Sequence, residues 1–348
     1  MYGMGDFKRF GACALTAMGL LVGGCTADDE TYSESNGTDD VDLGEVVSEE
    51  TARDPRTWQN ALQCKPIPDV TALTRPEIII SLDGLTLHLR DRAGGYDRVF
   101  PIGPGALENG RSLTPTSDTA PNGVFYTGTN TTESADSGWS YYYPCRIWHD
   151  DRGVRTPVFA GLPFIRLAGP PTAGYGIHGP IDNFTAPNGG NLRRGFVSHG
   201  CTRMSADDIV EVFARVRGRA RTPVKIQQAV ERANDGSAID IPQRWVGAEC
   251  AASSDCNFTN GVCRIPAGQI RGTCTLPCTA SCPDRVGEAT TFCAPDPAST
   301  TMSAGICVPT ASPTFNRTCD RYGARLTLGR GVQRPDRSAR ADVCRPAT

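Results

Sequence analysis

The segment Val197-Ser198-His199-Gly200-Cys201-Thr202-Arg203-Met204 places one cysteine in a glycine-flanked turn, directly after a histidine. A second His-Gly pair stands upstream, at Ile177-His178-Gly179. A thiol attacks as its thiolate, so it needs a proton acceptor and a polar, accessible pocket. His178 is the expected base. It follows the strand-like approach Ala173-Gly174-Tyr175-Gly176-Ile177 on a separate segment, from which it can point across a pocket at the sulfur. His199 lies too close to Cys201 in sequence to be the first choice; it is read as shaping the pocket. Gly200 permits a backbone turn that exposes successive N–H groups, so its amide and that of Cys201 are the expected oxyanion donors. The chemistry these parts suit is cysteine acyl transfer.

Cys201 is either this nucleophile or half of a disulfide, a reading that its neighbours and the even count of the other cysteines disfavour. Several neighbours also have two readings. Arg203 either binds a substrate carboxylate or pairs with Asp207 at a helix start. Ser198 either takes part in the site or hydrogen-bonds locally. Tyr175 and the run Tyr141-Tyr142-Tyr143 either line a cleft or pack in the sheet. Of the four histidines, His88 and His149 are read as incidental. No cofactor and no metal is expected: the spacing of Cys274, Cys278 and Cys282 lacks paired CxxC units and has no histidine nearby.

The elements that must position these groups are short. The chain has 348 residues with net charge −3, which gives no electrostatic support for binding nucleic acid. Its 38 glycines and 26 prolines suit a loop-rich, mostly β architecture. Glu77–Leu82 and Leu85–Arg90, separated by Asp83-Gly84, predict a hairpin. Further strands are expected at Val99–Gly103, Gly123–Gly128, Tyr141–Trp148, Pro163–Ala168 and Thr222–Ile226. One helix is expected after the cysteine. Ser205 caps it, Asp207 and Asp208 occupy the first turn, and Gly218 ends it. Ile209, Val212, Phe213 and Val216 form its buried stripe.

The ends differ from the middle. Lys8 and Arg9 precede an apolar run, Phe10–Val22, that closes in Leu21-Val22-Gly23-Gly24-Cys25. This resembles a bacterial lipobox, in which Cys25 would be lipidated and become the first mature residue. Residues 1–25 are therefore expected to be a signal and 26–70 an acidic, solvated tether. Thr26, rather than Asp, after the cysteine points to the outer membrane by resemblance to enterobacterial sorting. The expected place is the cell envelope, lipid-anchored, on the periplasmic side. Fifteen cysteines less Cys13, Cys25 and Cys201 leave twelve, an even number that fits disulfides. Ten lie between Cys250 and Cys344, where apolar residues are few. Residues 245–348 are read as a disulfide module, with binding of another protein as a further hypothesis for it, and Cys64 and Cys145 as a pair.

His178-Gly179 followed by Ser198-His199-Gly200-Cys201-x-Arg203 resembles the signature of the L,D-transpeptidase (YkuD) family. The resemblance spans about residues 75–228. Thr119-Ala120-Pro121-Asn122-Gly123-Val124-Phe125 looks like that family's Thr-Pro-x-Gly-x-Phe segment, and Thr222-Pro223-Val224 like its closing strand. The gap from His178 to Ser198 is longer than usual, with Asn188–Asn191 as the insertion. The resemblance implies a β-sandwich or barrel-like catalytic domain with one main helix after the cysteine. It also implies a peptidoglycan reaction. Cys201 attacks a tetrapeptide stem, D-alanine leaves, and the thioester passes to an amine to give a 3→3 cross-link. His178 takes the thiol proton, and the Gly179 carbonyl orients its ring. Water as acceptor would give an L,D-carboxypeptidase, and a protein acceptor would give wall attachment. A non-catalytic wall-binding lipoprotein is the reading from another class.

Overall fold

The structure is a computed structural model. It describes residues 65–127, 142–143, 147–149, 155–157, 161–168, 175–180, 190–219, 221–301, 303–312 and 317–346. The signal, most of the tether, Cys25, Cys64 and Cys145 lie outside these residues. Among the described residues, no helix is long and apolar enough to cross a membrane.

The hairpin forms where the alternation predicts it. β1 (Pro76–Ser81) and β2 (Thr86–Asp91) pair antiparallel around Asp83-Gly84, with Ile80 opposite Leu87. β3 (Asp97–Pro101) adds to β2. A small hairpin follows, β4 (Leu107–Glu108) with β5 (Arg111–Ser112); it was not read from the sequence. β6 is Phe125–Thr127. β7 (Tyr142–Tyr143) and β8 (Ile147–His149) are two strands in the stretch expected as one from Tyr141 to Trp148, and β9 (Arg155–Pro157) pairs with β8. β10 (Phe164–Ala168), β11 (Gly176–His178) and β12 (Thr202–Arg203) carry the site. After β12 comes the single α-helix among the described residues, α1 (Ala206–Val216), and then β13 (Pro223–Gln227).

The main sheet runs β12-β11-β10-β6-β13-β1-β2-β3. Its pairs are antiparallel except β1 with β13 and β11 with β12. The two ends of this order meet. Gly103, just past β3, exchanges both backbone hydrogen bonds with Arg203 of β12, each at 2.9 Å. The sheet therefore curls into a barrel-like form whose ends are joined at this bridge.

α1 is built as its sequence dictates. The Ser205 hydroxyl accepts the Asp208 amide at 3.2 Å, and Gly218 leaves the helix at φ +73°. Ile209, Val212, Phe213 and Val216 are fully buried against Ile78, Ile80, Leu87, Leu89 and Phe100 of the sheet. The other face of the sheet is covered too, by the segment after β13. Ser81 Oγ donates to the Ala229 carbonyl, and Glu231 reaches His88.

The C-terminal region holds little apolar core and relies on covalent links. Its strands are β14 (Glu249–Cys250), β15 (Val262–Arg264), β16 (Gly272–Thr275), β17 (Pro277–Cys278), β18 (Thr291–Pro295), β19 (Gly305–Pro309), β20 (Leu326–Gln333) and β21 (Arg340–Pro346). Five disulfides tie them: Cys250–Cys263, Cys256–Cys274, Cys278–Cys293, Cys282–Cys307 and Cys319–Cys344.

Candidate active site

Parallel pairing places the two halves of the signature side by side. Ile177 is in register with Thr202, and His178 with Arg203. Side chains alternate along strands, so His178 and Gly176 share a face with Arg203 and with Cys201, which directly precedes β12. The Gly176 amide lies 3.3 Å from Cys201 Sγ, which ties the sulfur to the strand that carries His178.

His178 is 2% exposed. Its Nδ1 lies 2.7 Å from the Gly179 carbonyl oxygen. A carbonyl only accepts, so Nδ1 carries the proton and Nε2 is left with the lone pair. Burial pushes the imidazole pKa down to about 3, and the Arg203 charge adds to the fall; the Gly179 hydrogen bond opposes both. The ring is therefore neutral near pH 7. Phe164, its cross-strand neighbour, stacks on it with ring centres 5.9 Å apart. A Cβ on Gly179 would sit 2.2 Å from Leu162 Cδ1, so a side chain there would have to displace Leu162.

The turn before β12 is held from several sides. Ser198 Oγ accepts the Gly200 amide at 3.0 Å and donates to the Cys201 carbonyl. Thr114 Oγ1 donates to the Gly200 carbonyl at 2.7 Å and accepts the Gly105 amide at 2.8 Å. Val197 and Ser198 both donate their amides to the Pro104 carbonyl. Gly200 has φ +128°, and the buried ring of Tyr175 lies against it. Thr114 and the Gly103–Gly105 segment did not emerge from the sequence as part of the site. They are distant in the chain, and no local pattern links them to Cys201.

Two expectations are corrected. The Gly200 N–H is engaged by Ser198 Oγ, so in this structure it is not a vacant oxyanion donor. Cys201 is not a free thiol but half of a disulfide. The other ten described cysteines pair among themselves, so the sulfur bonded to Cys201 lies outside the described residues. A disulfide sulfur has no lone thiolate to attack with, so this is an oxidised state of the site. An even count of the other cysteines does not decide the matter, because parity does not say which ones are near each other.

The remaining residues fall as follows. His199 is exposed, apart from the buried cluster of His178 and Cys201. Asp207 accepts the Lys65 ammonium at 2.6 Å, at the start of α1. Arg203 is half-buried, and its charge is felt at His178. Tyr175 is buried, which raises its hydroxyl pKa. The inserted Asn188-Gly189 falls outside the described residues, as do the side chains of Tyr142, Tyr143 and His149. His88 is not incidental: it is buried between two carboxylates, Glu231 at 2.9 Å and Asp97 at 2.8 Å.

Residues 75–226 match the model of the YkuD family, the L,D-transpeptidase catalytic domain. Among solved structures, the chain is similar to an L,D-transpeptidase from Mycobacterium smegmatis, with 17% identity over 44% of this chain and 58% of that one, at a TM-score of 0.28. L,D-transpeptidase 1 of Mycobacterium tuberculosis gives 16% identity over 44% and 61%, at 0.25. L,D-transpeptidase 3 of the same organism, in complex with a faropenem-derived adduct, gives 15% over 44% and 60%, at 0.24. The chain thus spans less than two thirds of the length of these structures. No curated protein matches it.

Proposed function

We propose that residues 75–226 form an L,D-transpeptidase that acts on peptidoglycan stem peptides through Cys201 once that residue is reduced. The observation that carries the reading is the pairing of β11 with β12. It sets a neutral His178, protonated at Nδ1, on the same face as Cys201. A thiol reductant first cleaves the disulfide at Cys201 and leaves Sγ–H. The thiol proton passes to His178 Nε2 as sulfur bonds to the stem carbonyl carbon. The tetrahedral intermediate collapses, the C–N bond breaks, and D-alanine leaves with the proton from His178. This gives a thioester. An amine of a neighbouring stem then attacks the thioester, His178 takes its proton, and the thiol reforms behind a 3→3 cross-link. Water at this stage makes the enzyme an L,D-carboxypeptidase, and a protein amine makes it a wall-attachment enzyme.

The low pKa of His178 belongs to a site without a thiolate. An anionic sulfur beside the ring favours imidazolium, so reduction of Cys201 is the step that brings base and nucleophile into register electrostatically. The lipobox resemblance at Cys25 supports tethering at the outer membrane, facing the periplasm. The C-terminal module is then carried into the envelope, where disulfides persist.

One observation favours a different reading. With Cys201 locked in a disulfide, the chain is a catalytically silent, wall-binding lipoprotein. The two are separated by intact mass. Protein with Cys201 reduced and the five C-terminal disulfides retained is incubated with a carbapenem and with defined tetrapeptide muropeptides. The enzyme reading requires a covalent adduct on Cys201 and a cross-linked or trimmed product. No adduct on folded protein with a free Cys201 leaves the silent lipoprotein.

A further inference from the structure

The C-terminal disulfide module meets the segment that leads into the site at Arg194, through both its backbone and its side chain. Arg194 lies in the segment that runs into Ser198 and Cys201, and it is 2% exposed. Its guanidinium joins three parts of the molecule. Nε donates to the Leu85 carbonyl at 3.2 Å and Nη2 to the Gly84 carbonyl at 3.1 Å, both in the β1–β2 turn. Nη2 also meets Asp240 Oδ1 at 2.6 Å, in the connecting segment. Nη1 meets Glu288 Oε1 at 3.0 Å, inside the module. The Arg194 backbone amide donates to the Gly287 carbonyl at 2.7 Å. Gly287 has φ +83°, and a Cβ there would sit 2.6 Å from the Leu192 carbonyl oxygen, so the module's turn is pressed onto this segment.

We infer that Arg194 is a positioning residue through which the disulfide module braces the Ser198–Cys201 turn. The inference rests on the acyl-transfer reading of Cys201 and adds to it a task for the C-terminal region. The chain of contacts is short. Gly103 is close-packed under Arg193, where a Cβ would meet the Arg193 carbonyl oxygen at 2.6 Å. Just beyond Arg194, Val197 and Ser198 bind Pro104, and Ser198 Oγ then holds both Gly200 and Cys201. Arg is suited to such a junction because its planar fork satisfies several acceptors at once, which a lysine ammonium cannot reproduce in the same geometry. Glu288 is itself fixed covalently. It lies within the loops closed by Cys278–Cys293 and Cys282–Cys307.

The test compares the full chain with Glu288→Gln and Arg194→Lys. Glu288→Gln keeps an acceptor of the same size and leaves Asp240 in place, so the fold survives if the milder variant is used. Two readings are taken. Amide hydrogen exchange, measured on the protein as it stands, should accelerate at least about tenfold at Val197 and Ser198, with β1 and β2 unchanged. With Cys201 reduced, the saturating rate of carbapenem acylation should fall by about tenfold or more, while the half-saturating concentration stays within about twofold; misplacement by about 1 Å costs rate on this scale. Unchanged exchange at Val197 and Ser198 in both variants overturns the brace. So does a loss confined to the half-saturating concentration. Should the parent protein never acylate while exchange responds as stated, the brace stands and the enzymatic reading of Cys201 falls.

Discussion

Tyr175 lies so close over Gly200 that a Cβ on the glycine would come within 1.9 Å of the tyrosine Cε1. The glycine also holds φ +128°, which L side chains rarely adopt. Gly200→Ala must therefore either displace the ring or change the turn that delivers Cys201. Overpacking and backbone strain each cost about 1–3 kcal/mol. A total loss of about 3 kcal/mol is expected from urea unfolding. Changing Tyr175 to Leu in the same chain should recover only the steric share. A Gly200→Ala protein as stable as the parent would mean that this turn is not shaped as described.

The two histidines of the signature differ in burial, so their substitution should differ in effect. His178→Ala removes the one neutral, oriented imidazole on the Cys201 face. General-base loss is worth about 10²–10⁴ in rate. His199 is exposed, and His199→Ala should stay within about threefold of the parent. Single-turnover acylation of reduced protein gives both numbers. The opposite ranking would transfer the base role to His199.

Much of this site was legible because its information is local. His178-Gly179 and Ser198 to Arg203 are contiguous, and the helix after them announces itself through Ser205 and the spacing of Ile209, Val212, Phe213 and Val216. The hairpin at Asp83-Gly84 follows from alternation. What the sequence hid depends on partners far along the chain. Thr114 meets Gly200, and Arg194 meets Glu288, only because the sheet curls until Gly103 reaches Arg203. His88 sits in a simple alternating strand, and nothing near it foretells Glu231. The oxidation of Cys201 ranks only as the lesser reading of the sequence for the same reason, since a disulfide requires proximity, which spacing alone does not supply.

The hairpin of β20 and β21 ends the chain with little core of its own. Cys319–Cys344 pins it, both sulfurs being buried with Tyr322 and Leu326. The bond closes a separation of 25 residues, for which the chain-entropy argument gives about 3.5 kcal/mol. Replacing both cysteines by serine should lower the stability of this hairpin by about that amount, read as faster amide exchange across Leu326–Gln333. The main sheet should be unaffected. A loss under about 1 kcal/mol would show that packing, not the bond, holds the hairpin.

Two buried histidines should pull stability in opposite directions with pH. His178 has its pKa lowered by burial to about 3, against 6.5 ordinarily. Between these values the unfolded chain binds a proton that the folded chain does not, so acid favours unfolding there. The slope approaches about 1.4 kcal/mol per pH unit for one proton. For His88, burial alone would lower the pKa. The hydrogen bond and charge of Glu231, then those of Asp97, outweigh it and raise the value above 6.5. Its contribution is complete below pH 6.5 and declines as pH rises through the folded value. Urea midpoints from pH 4 to 9 should separate the two. His178→Asn should flatten the loss on the acid side, and His88→Gln should flatten the decline on the alkaline side. If both variants keep the parent's profile, neither ring carries the protonation state assigned to it.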